Sequence, residues 1–240
     1  MIKDKIFSNH LKRDVKYLVK MSKEETDTYL YFFDAQNLYD KEESAYGHIW
    51  DVQKVIDDMN LSVNVVAIYS LGDMDRVAEY QPFPVENHEM IKESFDHKGH
   101  LTGKFIVEEL IEKVEDSPAK KRIILGSSMG GVMALYMGQK YPQIFNGVCA
   151  MSTAGYFAPQ ALAKSCASYD PKNKQKVYMD CGTKETDQDL NNIIYLLSNR
   201  MLAGAVSARV ADCKYIEGKD HIHNESFWHQ RLYGALEFLL

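Results

Sequence analysis

No stretch of this chain is long and apolar enough to span a bilayer. The first residues, Met1-Ile2-Lys3-Asp4-Lys5, hold no apolar run of the kind a secretory leader needs, so none is expected. Basic charge is scarce too: the net charge is −6 and the isoelectric point about 5.8. No basic patch recommends nucleic acid as a partner, and an acidic surface disfavours anionic membranes. Cysteine is confined to Cys149, Cys166, Cys181 and Cys213, with no C-x-x-C pair and no zinc spacing. Reduced, mostly buried thiols in a cytoplasmic protein are the expectation. Repeats, low-complexity tracts and linkers are absent. A chain of 240 residues with 45% hydrophobic content is long enough for one sizeable core and short for two.

The most informative stretch is Gly126-Ser127-Ser128-Met129-Gly130. Lys121 to Leu125 before it reads as a buried strand, and Val132 to Tyr141 after it as a helix. A serine at a strand-to-helix turn, with glycine two residues before and two after, fits the G-x-S-x-G nucleophile elbow. The turn is tight, so side chains at Gly126 and Gly130 are expected to clash with neighbouring backbone. Ser128 would then stand exposed at a helix N-terminus, where partial positive charge favours an oxyanion. Ser127 lacks glycines at those offsets. Gly130, Gly131, Ala134 and Gly138 give the helix a small-residue face for close packing on a sheet. Met129, Met133 and Met137 form a core or pocket-floor stripe. The plain alternative is a Gly/Ser turn with no chemistry.

Elsewhere strands alternate with helices. Val15, Tyr17 and Val19 alternate within Leu11 to Lys20, as in a strand near a sheet edge. Thr28 to Phe33 is a continuous apolar run, as in a strand buried on both faces. Further strands are expected at Val63 to Tyr69, Gly147 to Met151, Lys176 to Cys181 and Arg209 to Ile216. Helices are expected at Ile49 to Met59, Leu101 to Val114, Asp187 to Leu202 and Ser226 to Leu240. In the third of these Leu190, Ile193, Ile194, Leu197 and Met201 share one face. Ser70 to Asn87 reads as irregular, and Ser152 to Pro171 as irregular or partly helical. The pattern predicts an α/β architecture, a mostly parallel sheet with helices on both faces. In such sheets ligands bind beyond the C-terminal ends of the strands, where Asp34 to Asp40 lies.

A serine needs a base. Downstream of Ser128 the histidines are His221, His223 and His229. The first two occupy the polar loop before the last helix, where the base is expected. His229 lies within that helix and reads as a surface residue. His221 and His223 would also suit a metal, but no further ligands are identifiable. An acid is expected after the Lys176 to Cys181 strand, where Glu185, Asp187 and Asp189 stand. Asp187 and Asp189 sit where a helix begins and suit capping or dipole compensation, which leaves Glu185. Asp180 is within the strand and is expected to point away. His88, His97 and His100 read as solvent-facing, and Trp50 and Trp228 as core.

Taken together, four stretches resemble the putative esterase branch of the α/β-hydrolases, which includes esterase D-like enzymes, trilactone esterases, feruloyl esterases and mycolyltransferases. They are Asp34-Ala35-Gln36-Asn37-Leu38-Tyr39-Asp40, Arg76 through Glu79-Tyr80, Gly126 to Gly131, and Gly182-Thr183-Lys184-Glu185 followed by His223-Asn224-Glu225 and Trp228. They run in family order across nearly the whole chain. The resemblance implies a single α/β-hydrolase domain over residues 1–240, with Ser128 as nucleophile, Glu185 as acid and His223 as base. His223 is selected over His221 because Asn-Glu and then Trp follow it. An oxyanion hole is implied from the backbone N–H groups of Met129 and Gln36, with Asn37 as the alternative to Gln36. Ala35 stands where many relatives have glycine. Arg76, Glu79 and Tyr80 read as structural, an ion pair and a packed ring.

The expected function is a serine carboxylesterase acting on a small-molecule ester through an acyl-enzyme, without cofactor or metal. An acyltransferase on the same scaffold and a non-catalytic binding protein are the alternatives. The acyl and alcohol groups and the oligomeric state are not legible. Pocket walls are expected from Asp40 to His48, Met74 to Val85 and Ala154 to Tyr169.

Overall fold

Eight strands form one sheet in the spatial order β1-β2-β4-β3-β5-β6-β7-β8. They are β1 (Ile2–Ser8), β2 (Arg13–Lys20), β3 (Thr28–Phe33), β4 (Asn64–Ile68), β5 (Lys121–Ser127), β6 (Gly147–Met151), β7 (Lys176–Gly182) and β8 (Asp212–Gly218). The computed structural model describes residues 1–85, 96–171 and 174–240. β1 and β2 pair antiparallel, as do β2 and β4, and every pairing from β4 through β8 is parallel. The helices are α1 (Val52–Asp58), α2 (Asp73–Tyr80), α3 (Gly99–Phe105), α4 (Ile111–Val114), α5 (Met129–Lys140), α6 (Pro159–Ala167), α7 (Asp189–Ser207) and α8 (Glu225–Leu239). A π-helical turn, Ile106–Leu110, joins α3 to α4, so the expected Leu101 to Val114 helix is one irregular rod.

The sheet is covered on both faces. In β3, Tyr29, Tyr31 and Phe33 enter one core, with α5, α6 and α7. Leu30 and Phe32 enter the other, with α1 and α8. A strand buried on both faces has no polar side to show, which is why its sequence reads as an unbroken apolar run. The methionine stripe of α5 is fully in the first core. There a Cβ on Gly138 would lie 2.2 Å from Val148 Cγ2 of β6, so the small-residue face does bring α5 close onto the sheet.

Three elements differ from the sequence pattern. β1 is largely exposed and carries Lys3 and Lys5, whose partners are Glu43 and Asp14. A charged edge strand has no apolar period to read. α2 lies inside the stretch expected to be irregular, because its eight residues make only two turns, too few for a polar segment to declare a helical period. In α7 the buried residues are Tyr195, Asn199, Leu202, Ala203 and Val206, not the Leu190 to Met201 stripe. Both faces of that helix are apolar enough that period alone does not choose between them. His88 and the end of the 70–87 segment lie outside the described residues. His100 is exposed and His97 half-buried. Among the described residues no helix is long and apolar enough to cross a membrane.

Gly138→Ala should push α5 off β6. Overpacking of this kind costs about 1–3 kcal/mol, or a melting-temperature drop of several degrees in thermal denaturation. An unchanged melting temperature would contradict the close approach.

Candidate active site

Three strand ends at the C-terminal edge of the sheet carry residues in unusual backbone conformations. Asp34 follows β3 with φ 60°, Ser128 follows β5 with φ 56° and ψ −120°, and Ser152 follows β6 with φ 45°. Non-glycine residues with positive φ are uncommon, and they collect where surrounding structure over-determines them. Ser128 is pinned on both sides: its N–H donates to Met151 O (2.9 Å), and its carbonyl accepts from Val132 N (3.3 Å) and Ala154 N (3.1 Å). A Cβ on Gly126 would lie 2.3 Å from the Gly130 carbonyl oxygen, so only glycine fits there. Gly130 differs from expectation: its Cβ would meet the side chains of Phe33 (3.2 Å) and Asp34 (3.4 Å), not backbone.

Ser128 and His223 line one cleft of about 510 Å³. Asp34, Gln36, Asn37, Tyr46, Arg76, Glu225 and Trp228 also face it. No hydrogen bond joins the Ser128 hydroxyl to the His223 imidazole among the described residues; contacts of this kind are often long and tighten only around a reacting group. Behind the histidine, His223 Nδ1 lies 2.7 Å from Glu185 Oε2. A carboxylate only accepts, so Nδ1 carries the proton and Nε2 is left to accept one. Backbone bonds hold the two loops together: Lys184 N donates to His221 O (3.0 Å), Thr183 N to Gly218 O (2.9 Å) and His223 N to Glu185 O (3.3 Å).

Glu185 has no exposed side-chain surface. Its Oε1 accepts from Ser152 Oγ (2.6 Å) and from the Gly182 amide. Burial alone would raise its carboxyl, but His223, Ser152 and the Gly182 amide outweigh it and hold Glu185 below its ordinary value. Ser152 is itself saturated. It donates to Glu185 and accepts from Trp228 Nε1 (3.0 Å) and Arg231 Nη2 (2.8 Å), which uses its one donor and two acceptor sites. The Trp228 ring also packs edge-on against His223, with centroids 4.9 Å apart. Trp228 is therefore a core residue, as expected, and also a support for Ser152 and His223. Ser152 and Arg231 carry no motif signal; only the position of Ser152 at the end of the strand beside the elbow hints at a role.

The loop after β3 is built on Asp34. Arg76 donates to it twice, Nε to Oδ1 (2.9 Å) and Nη2 to Oδ2 (2.7 Å), and lies over the Tyr80 ring. The Asp34 N–H donates to Tyr80 Oη (3.3 Å). Glu79 pairs with Arg13 instead, so the Arg76 to Tyr80 stretch makes two ion pairs rather than one. Ala35 is buried with an ordinary φ, because the positive φ falls on Asp34, and no glycine is needed. The Gln36 side chain is fixed by Ser70 Oγ (2.7 Å) and Ser70 N (3.3 Å). Asn37 N donates to Asp34 O (2.9 Å) and its side chain donates to Glu225 (2.9 Å), so that amide is already used. Among the described residues the amides of Gln36 and Met129 have no acceptor.

Several expected residues lie elsewhere. His221 packs against Phe227 with the rings inclined at 44°, and its Nδ1 is buried without a hydrogen-bond partner among the described residues. His229 is half-buried, with Nδ1 2.7 Å from Trp50 O, and is not a free surface residue. Asp180 points away from the cleft, as expected, and is fully buried beside Arg231 at 3.2 Å. Burial pushes its carboxyl up to about 7. Asp189 stands in the first turn of α7, while Asp187 is exposed before it. Of the three expected walls, the first gives Ala45 and Tyr46 and the second Arg76, joined by Ser70 to Asp73, while Ala154 to Tyr169 gives none. Among the described residues there is no cluster of three or more potential metal ligands.

Residues 8–239 match the family described as "Putative esterase". No curated protein matches the chain in sequence. Among solved structures, the enterochelin esterase of Shigella flexneri superposes with a TM-score of 0.74 at 15% identity, over 100% of this chain and 58% of that one. The BES protein of Bacillus cereus gives 0.78 at 16%, over 99% and 94%. The siderophore hydrolase EstA of Aspergillus nidulans gives 0.73 at 16%, over 99% and 93%. At such identities the likeness is one of fold, the α/β-hydrolase fold. The chain spans little more than half of the Shigella enzyme.

Because Glu185 is held low in the folded state, it adds stability that is present above its ordinary value near 4.5 and lost as pH falls through the depressed one. Glu185→Gln should therefore melt well below the parent at pH 7, with the gap closing towards pH 3. A gap independent of pH would contradict the ionised, hydrogen-bonded carboxylate.

Proposed function

The chain belongs to the putative esterase family, and from that membership we propose that it is a serine carboxylesterase with Ser128, Glu185 and His223 as its triad. The observation that carries this is the pairing of a solvent-excluded Glu185 with His223 at 2.7 Å, on the cleft that Ser128 also lines. In this reading His223 Nε2 takes the Ser128 proton as Oγ attacks the ester carbonyl. The tetrahedral oxyanion is held by the unengaged amides of Met129 and Gln36, each such donor being typically worth about 10²–10³ in rate. Glu185 steadies the imidazolium and keeps the productive tautomer. Collapse of the adduct returns the proton from Nε2 to the leaving alcohol and leaves an acyl group on Ser128. Water, deprotonated by His223, then attacks the acyl-enzyme, and the free acid departs as Ser128 recovers its proton.

The Asp34 to Arg76 ion pair supports a second part of the reading, the oxyanion loop. Asp34 holds an unfavourable φ two residues before Gln36, and Arg76 and Tyr80 are what fix it.

Steady-state hydrolysis of a short-chain p-nitrophenyl ester tests both parts. Ser128→Ala and His223→Ala should each lower kcat/KM by about 10³ or more, and the double variant no further, since such residues act as a unit. Full activity in Ser128→Ala would sink the assignment. Arg76→Ala should lower kcat by up to about 10² with little change in KM, as expected when a transition-state donor is misplaced. A rise in KM at constant kcat would instead make Arg76 a substrate contact.

A further inference from the structure

The 19-residue α7 turns one apolar face into the core and another to the outside. On the outer face Leu190 is 68% exposed, Ile193 53%, Ile194 42%, Leu197 56% and Met201 46%. Single exposed apolar side chains are ordinary, but five on one helix face form a continuous stripe. At these exposures the stripe presents roughly 500 Å² of apolar surface, at the upper end of what a typical monomer shows. Covering it with an identical stripe would bury about 1,000 Å² in all, the lower limit for a specific protein interface.

Most of the stripe is self-complementary about Leu197; the exception is Ile194, three residues before it, where Arg200, held by Glu217, lies three after. Leu190 lies seven residues before Leu197 and Gly204 seven after, while Ile193 lies four before and Met201 four after. A Cβ at Gly204 would meet nothing within 4 Å, so the helix leaves a gap there. We propose that α7 is the interface of a homodimer, in which two copies pack antiparallel about a two-fold axis at Leu197. Leu197 then meets its own copy, Ile193 meets Met201 of the second copy, and Leu190 enters the gap over Gly204. The charges agree with this arrangement. Asp187 and Asp189 are exposed at the N-terminal end, and the last turns, Met201 to Ser207, carry no charged residue. Antiparallel pairing keeps the two acidic ends apart, sets each against the uncharged last turns of the other copy, and opposes the two helix dipoles. A membrane is a poorer occupant, because helices that lie in a bilayer surface carry lysine and arginine along their polar face. Here the N-terminal flank is acidic and the chain's net charge is −6.

No residue of α7 lines the cleft. The helix starts four residues after Glu185, and its inner face places the Tyr195 ring 5.2 Å from that of His223. Pairing would brace this helix from outside.

Sedimentation velocity of the full chain between about 1 and 100 µM is the test. The parent should approach twice its 27.5 kDa mass, and Leu197→Glu should remain at that mass with an unchanged circular dichroism spectrum. Two cysteine variants in a Cys213→Ser background test the axis. Leu197→Cys should form a covalent dimer on mild oxidation, and Leu190→Cys should not link to itself. The proposal is overturned by a parent that stays monomeric at 100 µM, whether or not it floats with phosphatidylcholine vesicles. A dimer that survives Leu197→Glu, or self-linking of Leu190→Cys, overturns it as well.

Discussion

A carboxylate without solvent must be surrounded by donors, and Glu185 imposes that condition on the whole site. Leaving such a charge unpaired costs several kcal/mol. Its donors come from places far apart in the sequence: Ser152 beyond β6, the Gly182 amide at the end of β7, and His223 in the loop before α8. Ser152 in turn leans on Trp228 and Arg231 of α8. These groups meet because the parallel register brings Met151 opposite Asp180 and Gly182 opposite Gly218. The sheet is thus the ruler that sets the distance from Glu185 to His223.

The same edge of the sheet concentrates backbone strain. Asp34, Ser128 and Ser152 all have positive φ, each directly after a strand. Such conformations cost of order 1–3 kcal/mol each and persist only where packing and hydrogen bonds oppose relaxation. The opposition is visible at every one. Arg76 and Tyr80 hold Asp34, the close approach of Gly126 to Gly130 shapes the elbow, and the α8 donors hold Ser152. Two apolar cores, one on each face, supply the rigidity on which this depends.

Much of this could be read from residue order. The buried strands β3, β5 and β6 announce themselves by unbroken apolar runs, and the elbow by its two glycines. Glu185 and His223 emerge from loop position and a family-like sequence. What stays hidden is whatever depends on partners distant in sequence. Ser152 is an ordinary serine until β7 and α8 are packed beside it, and Arg76 finds Asp34 across 42 positions. α7 shows the other limit: a helix apolar on two faces does not declare which one is inside, and the stripe with the clearer period is the exposed one.

Covalent labelling with a fluorophosphonate followed by peptide mapping tests, without the natural substrate, whether Ser128 is the activated nucleophile proposed above. The account predicts one adduct, on Ser128, that disappears in His223→Ala while the protein remains folded. An adduct on Ser127 or Ser152, or labelling of Ser128 that is indifferent to His223, would contradict it.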